Sequence, residues 1–168
     1  VRFGGTGQSS QISGYMSGGV IPTPTYVNTI DKFPFSVDTN ATDVGDMTIA
    51  RRFLAGHSSQ TDGYNSGGEP NTPSVYLDTI DKFPFSTDTN ASDVGDLTQA
   101  RRFALQGQNS QTFGYVAGGL TPPSDSGVDT IDKFPFAVDT NASDVGDLTI
   151  AKFAYAAQSS QENGYASA

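Results

Sequence analysis

The chain has 168 residues, of which 35% are hydrophobic and 19 are glycine, a composition that favours β-structure with many turns over helices. It contains no Cys and no Trp, which excludes disulfides and thiolate metal sites. Eighteen acidic residues against nine basic ones give a net charge of −9, which disfavours binding to nucleic acids and to anionic membrane surfaces.

Apolar runs in the chain are only a few residues long, so we predict no transmembrane helix, no membrane insertion and a soluble protein. The sequence begins at Val1 without an initiator Met or a signal segment, which suggests a fragment or a processed product.

The sequence repeats with a period of roughly fifty residues, which is typical of propellers and related arrays. The heptapeptide Thr-Ile-Asp-Lys-Phe-Pro-Phe occurs unchanged at residues 29–35, 79–85 and 130–136. We predict one repeat array, with units at approximately 1–49, 50–99 and 100–150 and a closing half-unit at 151–168.

Each unit is predicted to contain four short β-strands, because no helical period occurs in the repeat. The elements expected in the first unit are a strand over 14–19, a strand over 27–33, a polar turn at 38–41 and a strand over 44–50; a strand over 51–60 opens the second unit. Pro34 is expected to end the second strand, because proline has no N–H to donate to a ladder. The third strand is expected to place Met47 and Ile49 on one side.

The second unit begins with Arg51, continues through Gly56-His57 and a Tyr-containing strand to Gly67-Gly68, and then runs through a strand that ends at an aromatic residue and proline. This order resembles the Kelch repeat, and the resemblance implies an all-β fold of Kelch-like β-propeller blades, each with four antiparallel strands. Kelch units usually carry a Trp in the third strand. That volume would here be filled by Val44, Val94 and Val145, or by Met47, Leu97 and Leu148.

The Gly-Tyr-x-x-Gly-Gly and Ile-Asp-Lys-Phe-Pro-Phe combination also looks like repeat proteins of aquatic bacteriophages and their hosts, which implies a virion or cell-surface role. Repeats of the regulator of chromosome condensation type, with a Gly-x-x-His-Ser phrase, are the alternative family. Three units and a half-unit are too few for a ring of about four to eight blades, so we expect a longer array or a homo-oligomer.

His57 is the single imidazole of the chain and could be drawn into a Ser-His-Asp arrangement with the neighbouring serines. Its equivalents in the other units, Gln8, Gln108 and Gln158, are all glutamine. A position that accepts Gln in this way is typical of a structural hydrogen-bonding site. We therefore predict no catalytic residues and no enzymatic activity.

Charged residues recur at equivalent places in the units. We expect each cation to meet a carboxylate such as Asp46, Asp96 or Asp147, because a buried Arg needs a partner. An arginine ring that binds anionic ligands is the alternative, and the excess of acidic residues disfavours it.

The Asp-rich turns at 38–46, 88–96 and 139–147 supply the oxygen ligands that calcium prefers. Their oxygens fall at relative positions one, three, six and nine rather than in the EF-hand pattern, so we interpret them as turns and predict no metal and no cofactor, with calcium as the alternative. Glycosylation sequons begin at Asn40, Asn90 and Asn141, but such short motifs are weak signals.

Three spacers, at residues 20–27, 69–77 and 120–128, are the only parts of the units that are not copied. Loops on a rigid scaffold often carry binding, and tyrosine offers a flat amphipathic contact to sugars or proteins. The candidate binding residues are Thr23, Thr25, Tyr26, Glu69, Asn71, Tyr76, Ser124 and Asp125. The alternative is that the spacers vary because nothing constrains them.

The sequence thus favours a non-catalytic structural or adhesive module of a virion (tail, fibre or capsid surface) or cell surface, with a protein or glycan partner. An intracellular adaptor of the Kelch or chromosome-condensation type is the alternative. A propeller enzyme of the galactose oxidase kind would need a Cys ligand for copper, which the chain lacks.

Overall fold

The structure is a computed structural model that describes residues 1–72, 74–104, 107–154, 156–160 and 162–167. Pro73 of the second spacer and Tyr155, Gln161 and Ala168 of the closing half-unit lie outside the described residues. Regular secondary structure in the described part is entirely β-strand, which confirms the all-β prediction. That part contains no helix long and apolar enough to cross a membrane.

The strands are short, from two to six residues each. In chain order they are β1 (Thr6–Ser9), β2 (Ser13–Ser17), β3 (Val20–Ile21), β4 (Thr25–Tyr26), β5 (Thr29–Pro34), β6 (Thr42–Asp46), β7 (Arg51–Arg52), β8 (Ala55–Ser58), β9 (Asp62–Ser66), β10 (Glu69–Pro70), β11 (Thr79–Pro84), β12 (Ser92–Asp96), β13 (Gln108–Asn109), β14 (Phe113–Ala117), β15 (Leu120–Thr121), β16 (Ser126–Gly127), β17 (Thr130–Pro135), β18 (Ser143–Asp147), β19 (Ala156–Ser159) and β20 (Gly164–Ser167).

Each of the three units forms a four-stranded antiparallel sheet, as predicted. The strand orders are β1-β2-β5-β6, β8-β9-β11-β12 and β13-β14-β17-β18. The register is the same in all three sheets, and the equivalent pairs are Tyr15 with Lys32, Tyr64 with Lys82 and Tyr115 with Lys133. The closing half-unit contributes the two-stranded sheet β19-β20, and short pairs β3-β4, β7-β10 and β15-β16 lie in or next to the spacers.

The predicted bounds of the third strand were wrong. The strand lies at Thr42–Asp46 rather than 44–50, and the ladder with β5 shifts register at Ile30. Gly45 has a φ of +155°, and the chain bends after Asp46. Met47 is consequently buried while Ile49 is exposed, so these two side chains do not share a face.

The predicted strand over 51–60 is interrupted at Phe53, which has a φ of +58° and separates β7 from β8. Its backbone N–H leaves the strand and donates to the carbonyl oxygen of Gly4 at 2.6 Å. The N–H of Phe103 donates in turn to Phe53, and the N–H of Ala154 donates to Phe103. These hydrogen bonds between residues of positive φ join all the units. The backbone strain at each of these residues thus occurs where it contacts the neighbouring unit.

The hydrophobic core lies between successive sheets rather than within one. One cluster, between the first and second sheets, contains Tyr15, Ile30, Met47, Leu54 and Phe83. The other, between the second and third sheets, contains Ala55, Tyr64, Ile80, Leu97, Ala104, Val116 and Phe134. Because each cluster takes its phenylalanine from the following unit, a unit completes its core only with its neighbour. Met47 and Leu97 are buried, and Val44 and Val94 pack against the clusters, so both residue sets expected to replace a Trp contribute in the first two units. In the third unit the prediction fails, because Val145 is exposed and Leu148 is only half-buried.

A buried ion pair lies where the chain crosses from one sheet to the next. The Arg51 Nη2 atom lies 3.0 Å from Asp81 Oδ2, and both side chains are fully buried. Asp81 also accepts hydrogen bonds from the backbone N–H and hydroxyl of Thr48, at 3.1 and 2.7 Å. Arg101, Asp132 and Thr98 repeat the arrangement. Ion pairs are confirmed for seven of the nine cations, whereas Lys133 and Lys152 pair with no carboxylate among the described residues. The expectation that Asp46 would be the partner was wrong, because Asp81 lies next to Arg51 in the folded chain.

The Asp-rich turns join neighbouring units through backbone and amide groups. The Asn90 Oδ1 atom accepts a hydrogen bond from the N–H of Asp46 at 3.0 Å, and the N–H of Ala91 donates to the carbonyl of Asp46 at 2.8 Å. Asn141 and Ala142 make the same two contacts with Asp96. Each turn therefore holds the preceding unit by a reciprocal pair of bonds.

Substitution of Gly95 by alanine is expected to destabilise the protein more than substitution of Gly146. A Cβ at Gly95 would lie 2.6 Å from the carbonyl oxygen of Thr140, whereas one at Gly146 would meet nothing within 4 Å. Their φ angles, +152° and +144°, are similar, so backbone strain largely cancels in the comparison. We expect Gly95→Ala to cost about 1–3 kcal/mol more than Gly146→Ala. Chemical denaturation of both variants measures this difference, and equal costs would contradict the close approach of the turns.

Candidate functional site

The spacers begin directly after the Gly-Gly pair that follows the second strand of each sheet. Their tips lie in solvent, where Thr23, Thr25, Asn71 and Ser124 are exposed. The hydroxyls of Thr23 and Thr25 lie 3.3 Å apart, and that of Ser124 lies 2.8 Å from the Ser126 hydroxyl. These four predicted binding residues thus present polar groups to solvent. The other four predicted residues are Tyr26, Glu69, Tyr76 and Asp125.

Tyr26 and Glu69 come from successive spacers and contact each other. The Tyr26 hydroxyl donates to Glu69 Oε1 at 3.1 Å, and Arg52 Nη2 donates to the same oxygen at 2.9 Å. The guanidinium carbon of Arg52 lies 4.9 Å from the centre of the Tyr26 ring, within the range of a cation–π contact. Glu69 is only 9% exposed, so its carboxylate depends on these donors.

The second and third spacers repeat this arrangement. The Tyr76 hydroxyl donates to Asp125, and Arg102 Nη2 donates to the other oxygen of Asp125 at 2.8 Å. Arg102 also donates to Glu69, and its guanidinium carbon lies 4.8 Å from the centre of the Tyr76 ring. Arg102 therefore connects the two arrangements into one network.

Two stacked phenylalanines lie next to this network. The ring centres of Phe53 and Phe103 are 3.9 Å apart, and Arg52 lies 4.5 Å from the first ring while Arg102 lies 5.0 Å from the second. Each arginine is thus held between a Tyr and a Phe. We use the name spacer surface for the set Tyr26, Arg52, Glu69, Tyr76, Arg102 and Asp125, together with the four exposed tip residues.

Both carboxyl groups of the spacer surface are held in the ionised form. Burial alone would raise the pKa of Glu69, but hydrogen bonds and charge from Arg52 and Arg102 bring it below its ordinary value. The hydrogen bond from Tyr76, followed by the charge of Arg102, lowers the pKa of Asp125. Two arginines therefore balance two carboxylates at neutral pH.

The sequence predicted the two tyrosines and the two acids but not the arginines. Arg52 and Arg102 were placed with the structural cations because they follow Arg51 and Arg101 directly. In the structure the first arginine of each pair is buried and the second is partly exposed. The alternation of a strand supplies the missing signal, because successive residues of a strand point to opposite faces.

A cleft that the sequence analysis did not single out lies at the other end of the second strands. It has a volume of about 480 Å³ and is lined by Ser9, Ser10, Gln11, Ser58, Ser59, Gln60, Asn109, Ser110, Gln111, Ser159 and Ser160. The signal that could have found it is the repeated Ser-Ser-Gln triplet, in which Asn109 replaces the first serine of the third copy. Several of its hydroxyls already serve the fold; Ser10 Oγ, for example, accepts from the backbone N–H groups of Ile12 and Ser13.

His57 is fully buried, and its expected hydrogen-bonding role is confirmed. Its Nδ1 lies 3.2 Å from the carbonyl oxygen of Gln108, and its Nε2 lies 2.8 Å from the Ser66 hydroxyl. Since a carbonyl oxygen can only accept, Nδ1 donates and Nε2 accepts. Gln8 makes an equivalent contact to the next unit, with Nε2 donating to the carbonyl of Tyr64 at 3.1 Å.

The oxygens of the Asp-rich turns are used in hydrogen bonds and ion pairs. Asp43 accepts from the N–H of Gly45 at 3.1 Å, and Asp88 pairs with Lys32 at 2.9 Å. No group of three or more His, Asp or Glu side chains that could hold a metal ion occurs among the residues the structure describes.

Comparison with protein-family models and with curated proteins gives no match.

Replacement of Glu69 by glutamine is expected to destabilise the protein by about 1.5–3 kcal/mol, the range for lost hydrogen bonds to charged groups. The change leaves Arg52 and Arg102 without their shared carboxylate. Asp125→Asn is the matched control, because Asp125 is exposed, and it should destabilise the protein less than Glu69→Gln does. Urea denaturation of both variants gives the two values, and a Glu69→Gln variant as stable as the parent would contradict the network.

The stability of the protein should fall more steeply below pH 7 than that of a His57→Gln variant. Burial lowers the pKa of His57 from 6.5 to about 4, although the backbone contact with Gln108 opposes the shift. The unfolded chain therefore takes up a proton first, so this contribution is present above pH 6.5 and is lost as the pH falls toward 4. Between pH 7 and pH 5 the loss should be about 2 kcal/mol. Denaturation at both pH values checks this, and parallel curves for parent and variant would contradict it.

Proposed function

We propose that the protein is a non-catalytic structural or adhesive module whose sheets are blades of a Kelch-like β-propeller array. It binds a protein or glycan through the spacer surface and acts on a virion or a cell surface. The observation that carries this proposal is the meeting of Tyr26, Glu69, Tyr76 and Asp125, all from spacers, in one network with Arg52 and Arg102.

The division of labour between copied and uncopied residues supports the proposal. The repeated residues supply the four-stranded sheets, the buried ion pairs and the contacts between turns. The spacers contact one another through Tyr26 with Glu69 and Tyr76 with Asp125, and they carry exposed tips. A rigid scaffold that presents variable loops is the usual arrangement for recognition.

The chemistry of the spacer surface supports a protein or glycan partner over an anionic one. Its charges are paired, and its two tyrosines lie beside stacked phenylalanines. Aromatic rings held in place lose little side-chain entropy when a partner binds, and they contact both apolar and polar groups.

A non-catalytic role is supported by the state of His57. Both ring nitrogens have hydrogen-bond partners within the fold, and the depressed pKa keeps the imidazole neutral and buried. The virion or cell-surface placement comes from the resemblance of the repeated sequence to phage repeat proteins, and it is compatible with the net charge of −9.

The proposal is tested with arrays of immobilised oligosaccharides and peptides, probed with the parent chain and with a triple variant of the exposed tips, Thr23→Ala, Asn71→Ala and Ser124→Ala. We expect the triple variant to keep the parent melting temperature and to lose at least about tenfold in affinity for whatever the parent binds, as for contact residues of an interface.

The matched control changes exposed residues at the opposite end of the sheets, Gln11→Ala, Gln60→Ala and Gln111→Ala, and should bind like the parent. In a second arm, the spacer at 120–128 replaces the other two spacers. If the fold and all binding survive that replacement, or if only the glutamine variant loses binding, the spacer surface is not the recognition site.

A further inference from the structure

A groove lies between the third sheet and the strands of the closing half-unit. Its volume is about 330 Å³, and its apolar part is lined by Tyr115, Ile131, Val145, Leu148, Gly164 and Ala166. Val145 is 46% exposed, although its counterparts Val44 and Val94 pack against the two core clusters. The groove is therefore an apolar surface with a shape fixed by two neighbouring elements.

Equivalent positions between the other sheets form the hydrophobic core. Between the second and third sheets, Tyr64, Ile80, Leu97 and Val116 enclose Phe134. Their repeat equivalents in the lining of the groove are, in the same order, Tyr115, Ile131, Leu148 and Ala166. The groove thus has the equivalents of these four walls without a phenylalanine between them.

The glycine beneath each phenylalanine shows where the missing ring would lie. A Cβ added to Gly63 would be 2.4 Å from the Phe83 ring, and one added to Gly114 would be 2.3 Å from the Phe134 ring. At the equivalent Gly164 the nearest atoms belong to the Gln108 amide, 3.2–3.5 Å away, whose Nε2 donates to the carbonyl oxygen of Tyr165 at 2.7 Å. No aromatic ring lies over Gly164 among the described residues.

Polar groups at the rim of the groove also match those of the filled positions. Lys32 and Lys82 pair with Asp88 and Asp139 of the following unit. Lys133, at the same place, has its ammonium over the Phe113 ring at 4.8 Å, with no carboxylate within ion-pair distance among the described residues. The rim can therefore receive an acidic side chain.

Gly146 supplies a second rim feature. Gly45 and Gly95 lie under the backbone of the following turn, whereas a Cβ at Gly146 would meet nothing within 4 Å. The neighbouring Asp147 is equivalent to Asp46 and Asp96, whose N–H groups bind an asparagine of the next unit. Gly146 and Asp147 can therefore bind an Asp-Thr-Asn-Ala turn as Gly45 with Asp46 and Gly95 with Asp96 do.

The first sheet shows how exposed the phenylalanine is when no sheet precedes its own. Phe33 is 40% exposed, whereas Phe83 and Phe134, which enter the core of a preceding unit, are each 2% exposed. The first phenylalanine of the strand is therefore partly covered by its own sheet, and it becomes fully buried only in the groove of a preceding unit.

We propose that the groove beside Gly164 is a binding site for an extended strand that carries the Phe-Pro-Phe sequence and its Asp-Thr-Asn-Ala turn, supplied by the outer pair of strands of a repeat unit. The first phenylalanine enters the space over Gly164, and the strand adds antiparallel to the free edge of β20, as β5 adds to β2. An aspartate of its turn pairs with Lys133, and the asparagine accepts from the N–H of Asp147.

A whole second copy of the chain fits this groove poorly. Its first unit carries β1 and β2 in the sheet with β5 and β6, and those inner strands correspond to β19 and β20, which already occupy their place beside β13. The groove accepts the outer pair of strands alone. The inference does not depend on the spacer surface, which lies at the ends of the sheets.

The test uses the full chain and a fluorescent synthetic peptide with the sequence of residues 79–96. We expect saturable binding by fluorescence anisotropy. A peptide with Phe83→Ala should bind at least about tenfold more weakly, since it loses the buried ring. The control peptide with Thr87→Ala should bind like the parent.

Two chain variants locate the site. Gly164→Ala should abolish binding, because its Cβ would occupy the position of the ring. The melting temperature should change little, since the Gln108 amide, 3.2 Å from that Cβ, needs to shift by only a few tenths of an ångström. Lys133→Glu should weaken binding at least about threefold, and a peptide with Asp88→Lys should restore it, as expected for a direct charge pair.

Absence of peptide binding, or binding unaffected by Gly164→Ala, would overturn the proposal. Sedimentation, which measures the oligomeric state, tests whether a second copy of the chain occupies the groove instead. If the chain dimerises, and if Gly164→Ala disrupts the dimer while the peptide does not compete, the groove is covered by a second copy and the strand-binding proposal is wrong.

Discussion

The carboxylate of Asp81, buried with Arg51 and bound by Thr48, is the constraint on which the arrangement of the sheets depends. Such a pair contributes little net stability, because desolvation of the two charges offsets much of their attraction. Its loss is costly, because a charge left alone in the interior costs about 3–5 kcal/mol. The pair therefore acts on geometry: the crossing from one sheet to the next can adopt only the path that brings all three residues together.

The repeated residues outside this pair also act between neighbours. Asn90 holds the backbone of Asp46, Phe83 fills the core of the first unit, and Lys32 reaches Asp88. Strict repetition of a residue thus reflects a contact made once per junction. The spacers take no part in these contacts, which explains how they can differ in sequence while the sheets remain superimposable in register.

Local pattern was sufficient to predict the strands of the Thr-Ile-Asp-Lys-Phe-Pro-Phe segments, the polar turns and the four-stranded sheets. It failed where the deciding partner is distant in sequence. Met47 enters a cluster that contains Phe83 of the following unit, and no pattern within residues 44–50 reveals that partner. The phasing of charges showed that Arg51 needs an acid but not that the acid is Asp81, because several acids share that phase. The tyrosines of the spacer surface were found because the spacers vary, whereas Arg52 was hidden within a repeated pair.

Each core cluster contains a phenylalanine of the following unit, and this affects how the free energy of unfolding depends on the number of units. No unit is self-sufficient, so the free energy of unfolding grows with the number of junctions and not simply with the number of residues, as in a one-dimensional chain of coupled elements. Units with a neighbour on each side belong to two junctions and those at the ends to one. Amide hydrogens in the second sheet should therefore exchange with solvent more slowly than those of β5 or β20, and opening should proceed inward from the ends of the array.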